Sequence, residues 1–249
     1  MYSLADFAAI QKRMNYTLPL ETKQKIHALC KSIGAELPFT MTQDKKDIHD
    51  SIREINKLTE ENKDKQFLII LSILKENEKD IPLFSNELFK MIKNNSFFSK
   101  VYAELYSKLY WSTFQDVFEA HYNSYLQSFG QIETCDAEDY ELYCQLKKKN
   151  DERRAFTLFL CNLVQQKTIT MDYYNKTMTV ILEHIDETLS LDKKDVMNEY
   201  IENVYILCST VKIVPTEKIK WLSELNPKQY NGLNYKIIFR CMDIIKLTS

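Results

Sequence analysis

Glycine and proline are nearly missing from this chain: its 249 residues include 3 of the first and 5 of the second. Sheets joined by tight turns draw on both, so their scarcity favours long helices with short connections. Runs of apolar residues approaching the ~20 needed to cross a bilayer are lacking, and no membrane partner is expected. The N-terminus shows no signal-peptide pattern, which leads to an expectation of cytoplasm or nucleus, the cytoplasm first. The six cysteines (Cys30, Cys135, Cys144, Cys161, Cys208, Cys241) form no C-x-x-C pair, and His27, His49, His121 and His184 show no H-x-x-x-H spacing. That pattern predicts reduced thiols and no metal site. A glycine-rich phosphate loop, a G-x-S-x-G elbow and an H-E-x-x-H helix are also lacking, so neither an enzyme nor a cofactor is expected. A net charge of −2 argues against a surface that is basic throughout, while leaving room for a local basic patch.

Hydrophobic residues make up 45% and charged residues 27%, enough for a sizeable core in one domain. Residues 48–74 organise the chain. Ile48, Ile52, Ile55 and Leu58 fall at helical spacing on one face, with Asp50, Arg53, Glu54 and Lys57 turned to water. Thr59 is placed to cap a second helix, with Glu60 and Glu61 in its first turn. That helix, through Phe67, Leu68, Ile69, Ile70, Leu71, Ile73 and Leu74, is apolar almost all round and is expected to be interior.

Helical stripes recur along the rest of the chain. Phe84, Leu88, Met91 and Ile92 make one. Phe98 to Leu109, with Ser96 as cap, and Phe114 to Phe129 make the next two, His121 lying on the latter face. Residues 130–139 read as a linker. Phe156, Phe159, Leu160 and Leu163 then share a face, as do Tyr174, Met178, Ile181, Leu182, Ile185 and Leu189. Asp192 precedes, as a cap, a helix through Met197, Tyr200, Ile201, Val204 and Cys208. A short helix carries Trp221, Leu222 and Leu225, and the last carries Tyr235, Ile238, Phe239, Met242 and Ile245. About ten helices in pairs, each pair near HEAT-repeat length, predict an all-α, HEAT-like α-solenoid of about five antiparallel pairs over residues 46–249. An irregular helical bundle satisfies the same periodicity. Residues 1–45, broken at Leu18-Pro19 and at Gly34, read as an N-terminal helical arm.

Three separated segments, in order, resemble the middle domain of eukaryotic translation initiation factor 4G. Ile55-Asn56-Lys57-Leu58-Thr59 is similar to the family's L-N-K-L-T. Phe98-Ser99-x-x-Tyr102-Ala103-x-Leu105-x-x-x-Leu109 is similar to F-S-x-x-Y-A-x-(hydrophobic)-C-x-x-L, with Tyr106 in place of the cysteine. Ile237-x-Phe239-x-x-x-Asp243-Ile244-Ile245-x-Leu247 is similar to the closing R-I-R-F-M-L-x-D-V-L-D-L, with Ile238 where the family has a basic residue. Between them Phe159-Leu160-Cys161-Asn162-Leu163 stands where the family has F-I-G-E-L, and Ile169-Thr170 where it has L-T.

The resemblance implies a scaffold in translation initiation that binds and stimulates a DEAD-box RNA helicase of the initiation factor 4A type, and RNA with it. Carried over by position, helicase contact falls to Asn56, Lys57 and Thr59 near one end, and to Phe239 and Asp243 near the other. Asn56, Lys57 and Thr59 also read as helix-end and capping residues, and Phe239 also reads as core. The cluster Lys147, Lys148, Lys149, Arg153 and Arg154 offers phosphate contacts, although Asp151 and Glu152 interrupt it as they would a solvated helix start. In the arm, Tyr2, Phe7 and Ala8 have the spacing of the family's Y-x-x-x-x-L-Φ cap-binding-protein motif, which ordinary packing also explains. The competing functions are a related helical scaffold in mRNA decay, splicing or nuclear cap binding, and a generic solenoid adaptor with no RNA connection. Abundant Lys, Asn, Ile and Tyr match an AT-rich codon bias and point to a viral or protist source, hence a host cytoplasm if viral.

Overall fold

The computed structural model describes residues 43–247, apart from 77, 110–111 and 136–138. Contacts divide the chain into two units, Met1–Lys46 and Asp47–Ser249, and the fold is that of the second. Tyr2, Phe7 and Ala8 lie outside the described residues, as do the helix breaks read at Leu18-Pro19 and Gly34.

The described residues form ten α-helices and no strand. They are α1 (Gln43–Asn56), α2 (Lys63–Glu76), α3 (Ile81–Asn94), α4 (Ser99–Lys108) and α5 (Ser112–Phe129). Next come α6 (Tyr140–Gln165), α7 (Met171–Thr188), α8 (Lys194–Val211), α9 (Thr216–Glu224) and α10 (Tyr235–Lys246). None of them is long and apolar enough to cross a membrane.

Local chemistry sets several boundaries. Asp139 caps α6 by accepting the Leu142 N–H at 3.0 Å, and Asn234 caps α10 by accepting the Ile237 N–H at 3.0 Å. Helix ends commonly turn left-handed at a glycine, but here Lys167 (φ 57°) and Lys212 (φ 64°) take that conformation. The chain is too short of glycine to do otherwise at every end.

Packing runs along two series of helices. In one, α4 packs on α6, α6 on α8, and α8 on α10; in the other, α3 packs on α5, and α5 on α7. The series meet where α6 touches α7 and α7 touches α8, and α9 packs on α10. Helix α6 also reaches α3, which makes it the most widely packed helix. Its second half is buried nearly all round, through Ala155, Phe156, Thr157, Phe159, Leu160, Cys161, Asn162, Leu163 and Val164.

The core changes character along the stack. Between α3, α4, α5 and α6 it is aromatic: Phe89 lies 5.9 Å from Tyr106 and 6.0 Å from Phe159 between ring centres, both edge-on. From α7 onward it is aliphatic, with Ile181, Ile185, Met197, Ile201, Val204, Leu207, Ile237 and Ile244 buried. A polar network crosses the middle. Tyr125 and Thr157 hydroxyls lie 2.8 Å apart, Thr157 donates to Asn203 Oδ1 at 2.6 Å, and Asn203 donates to the Glu199 carbonyl at 2.8 Å. Cys161, Cys208 and Cys241 are buried as free thiols, with burial raising Cys208 and Cys241 to about 12.

Several expectations need correction. Helix α2 is not interior: Leu68 is 70% exposed, because neighbours cover only the face carrying Phe67, Ile70 and Leu74. It opens at Lys63 rather than at Glu60, so Asp64 is the first-turn acid. Ser96 lies in a 3-10 turn (Ser96–Phe98), and α4 begins three residues later at Ser99. Asp192 does not cap α8; it pairs with Lys194 at 3.2 Å. Trp221 is 40% exposed, while Ile219 and Leu222 are the buried apolar residues of α9.

Candidate functional site

The turn between α1 and α2 contains the first family match. Asn56, Lys57 and Thr59 are all exposed, whereas Ile55 and Leu58 are buried. The turn is held by reciprocal bonds. The Thr59 N–H donates to Asn62 Oδ1 at 2.8 Å, the Asn62 N–H donates to Thr59 Oγ1 at 3.3 Å, and Asn62 Nδ2 donates to the Lys57 carbonyl at 2.8 Å. Lys57 pairs with Glu54 at 2.5 Å. Both readings of this match survive side by side: Thr59 has a structural bond, and the turn presents its polar groups to solvent.

Helix α10 carries the closing match, and its buried face differs from the expected one. Ile237, Ile238, Cys241 and Ile244 face the core, so Phe239 is not a core residue. It is 60% exposed, with Tyr235 57% and Met242 41% exposed on the same side of the helix. Tyr235 and Phe239 ring centres lie 6.5 Å apart. Asp243 pairs with Lys246 at 3.3 Å beside them. Arg240, next to Phe239, makes a bidentate pair with Glu202 at 2.8 Å and lies 4.3 Å from the Tyr205 ring centre. An aromatic patch is therefore displayed on a helix whose inner face is firmly anchored. Tyr235, Phe239 and Met242 share a stripe in the sequence, and the structure turns that stripe out to solvent.

The basic cluster splits into two chemical groups. Arg153 is buried, donating from Nε to Ser128 Oγ at 3.1 Å, from Nη1 to Asn150 Oδ1 at 2.7 Å and from Nη2 to the Ser128 carbonyl at 3.2 Å. Arg154 pairs with Glu199 in α8 through two bonds and lies 3.5 Å from Asp151. Both arginines thus bind the fold together. Glu199 is pushed up from the ordinary carboxylate range by burial, against the pull of Arg154. Lys147, Lys148 and Lys149 remain exposed. They are not a solvated helix start, since α6 begins two turns earlier. Successive helical residues point ~100° apart, so the three lysines fan around a ridge rather than form one stripe. Their salt bridges are long, Lys148 to Glu152 and Lys149 to Glu133 both at 3.9 Å.

Two hollows flank this ridge. One, of about 290 Å³, has Tyr143, Lys147, Asn150, Arg154, Asp195 and Lys236 among its lining residues. Tyr140 and Tyr143, 75% and 45% exposed, stand on the two turns before the lysines; their i, i+3 spacing ahead of a basic run was the signal available in sequence. The other hollow, of about 370 Å³, lies between α3, α5 and α6 and is lined by Lys93, Ser124, Ser128, Lys149, Glu152 and Arg153 among others. Lys93 Nζ lies 3.4 Å from His121 Nδ1, and His121 Nε2 lies 3.2 Å from Asn86 Oδ1. Lys93 has only donors, so Nδ1 accepts, and Nε2 carries the proton that goes to Asn86. Desolvation, and secondarily the Lys93 charge, lowers His121 to about 4, so the imidazole is neutral at pH 7. Among the described residues, no group of three or more His, Cys, Asp or Glu is placed to hold a metal ion.

No protein-family model, curated protein or solved structure matches this chain.

Proposed function

We propose that this chain is a HEAT-like helical scaffold of the factor 4G middle-domain kind, which binds and stimulates a DEAD-box RNA helicase of the initiation factor 4A type in the cytoplasm. It has no catalysis of its own. The observation that carries the reading is Phe239. In the third family match this residue is conspicuous because a large aromatic ring stands in solvent, beside Tyr235 and Met242, on a helix that has enough buried Ile and Cys to fold without it. The first match supports the same reading, since Asn56, Lys57 and Thr59 are presented on a hydrogen-bonded turn. The two packing series support the solenoid, because successive pairs of a repeat array bury their faces on one another. RNA falls to the exposed Lys147, Lys148 and Lys149 with Tyr140 and Tyr143, a combination of phosphate-neutralising cations and rings for base stacking. Recruitment of a cap-binding protein by Tyr2, Phe7 and Ala8 completes the proposal.

The test is the affinity of the full chain for a factor 4A-type helicase, with and without Phe239→Ala. A loss on the order of 2 kcal/mol, about 30-fold in Kd, is expected for an exposed interface anchor. Unchanged affinity, or no affinity in the natural chain, sinks the helicase reading.

A further inference from the structure

We propose that the hollow between α3, α5 and α6 is a binding site for a phosphate monoester, held by Lys93, Arg153 and Lys149 with the Ser124 hydroxyl in support. Three observations converge on an oxyanion. Lys93 is half withdrawn from water, and among the described residues no carboxylate lies within ion-pair distance of it; its nearest polar partner is the neutral imidazole of His121, at 3.4 Å. An ammonium so placed gains from an anion what it has lost in hydration. Its own titration agrees in direction: desolvation lowers it below the ordinary lysine value, although the Glu152 charge at the rim pulls the other way.

The second observation is Arg153. Its guanidinium is buried, yet the three hydrogen bonds to Ser128 and Asn150 use three of its five N–H donors. Two donors of a residue lining the hollow remain for a ligand, and a fixed guanidinium fork suits phosphate oxygens. Third, Ser124 and Gln131 line the same space, and neither side chain has a hydrogen-bond partner among the described residues. The acids at the rim limit the charge that fits. Glu133 faces Lys149 and Glu152 faces Lys148, each at 3.9 Å, so the lining keeps an excess of one cation. The volume of about 370 Å³ exceeds what a bare phosphate needs, which leaves room for an attached sugar. A free phosphorylated metabolite and the 5′-phosphate of an RNA present this same chemistry.

This site does not rest on the helicase reading, and it shares only Lys149 with the lysine ridge, since Lys147 and Lys148 do not line it. The experiment is a side-chain NMR titration of the full chain, following His121 and the arginine Nε groups. Inorganic phosphate, a short 5′-phosphorylated oligoribonucleotide and its unphosphorylated twin are the three probes. Saturable shifts at His121 and Arg153 are expected with the first two probes, weakened about tenfold or more by Lys93→Met, which removes the charge but keeps the apolar stem. Should that variant melt early, Lys149→Met with Ser124→Ala, at exposed positions, must weaken binding instead. Binding that none of these changes weakens, or no saturable shift at His121, overturns the site. Equal, Lys93-dependent shifts with the unphosphorylated twin overturn the monoester, because an internal phosphodiester would then suffice. Tyr143→Ala, on the far hollow that Lys93 does not line, is expected to leave phosphate binding intact while lowering RNA affinity, so the two readings fail separately.

Discussion

His121 and Phe239 both lie on apolar stripes in the sequence, and they meet opposite fates. His121 lies tilted against Phe89, 4.4 Å between ring centres, and is hydrogen-bonded to Lys93 and Asn86. Its folded value of about 4 lies below the ordinary 6.5, so the unfolded chain takes the proton first as pH falls. The stability that neutral His121 contributes is complete above about pH 6.5 and drains away as pH falls toward 4. Lys93 and Asn86 are the groups that face it, and Lys93 stays charged throughout that window. Chemical unfolding at a series of pH values should show a steeper loss between 6.5 and 4 in the natural chain than in His121→Gln. Equal slopes would show that the imidazole titrates normally. Phe239 is the opposite case: Phe239→Ala should cost less than about 1 kcal/mol, whereas Phe89→Ala, fully buried among rings, should cost about 3–5 kcal/mol. Denaturant unfolding of the two variants side by side decides it.

At the scale of elements, α6 shows one helix doing two jobs along its length. Its first turns stand in solvent with Tyr140, Tyr143 and three lysines, and its second half is core. Arg153 and Arg154 mark the changeover. Removing either takes away hydrogen bonds near the core, those to Ser128 and Asn150 in one case, and in the other leaves the buried Glu199 carboxylate without its arginine. Arg153→Met and Arg154→Met should therefore lower the melting temperature clearly, while Lys147→Glu and Lys148→Glu should not. Comparable melting for all four variants would contradict the division. The loop before α10 is fixed by a close approach instead. A Cβ on Gly232 would come within 2.5 Å of the Thr188 carbonyl oxygen and 2.9 Å of that of Leu189, to which the Gly232 N–H donates at 3.1 Å. Gly232→Ala must push that loop off the end of α7, at a cost of about 1–3 kcal/mol, measurable as a lower unfolding midpoint at unchanged slope.

At the scale of the second unit, the prediction concerns charge as a field rather than as single pairs. The whole chain carries a net charge of −2, so RNA affinity has to come from the local ridge and to depend strongly on salt. Changing Lys147, Lys148 and Lys149 together to Glu should weaken RNA binding across sequences, and should flatten the log–log salt slope by about 0.7 for each phosphate no longer neutralised. An unchanged slope would return these lysines to an ordinary solvated face. The stack itself distributes the work. Aromatic rings join α3 to α6, where side chains from four helices meet, and smaller branched residues join α7 to α10, where fewer helices meet.

The all-helical character is legible in sequence because scarce glycine and proline remove the means of making tight turns, and because period-3.6 stripes recur. About ten helices are expected from those stripes, and ten lie among the described residues. What sequence leaves undecided is which way each stripe faces. On α10 a stripe through Tyr235, Phe239 and Met242 and one through Ile237, Cys241 and Ile244 are both apolar at helical spacing. Contact with α8 and α9 selects the second. On α2 the surplus of apolar residues implies burial all round, and the neighbours supply only one covering face, leaving Leu68 out. The basic run looks like five equivalent cations until packing draws Arg153 to Ser128 and Arg154 to Glu199, partners 25 and 45 residues away. The hollow beside Lys93 has no sequence signal at all, since it depends on three helices meeting. Periodicity and composition are local properties, and so the chain by itself determined where helices form. Burial and pairing depend on residues distant in sequence, and only the tertiary structure decided them.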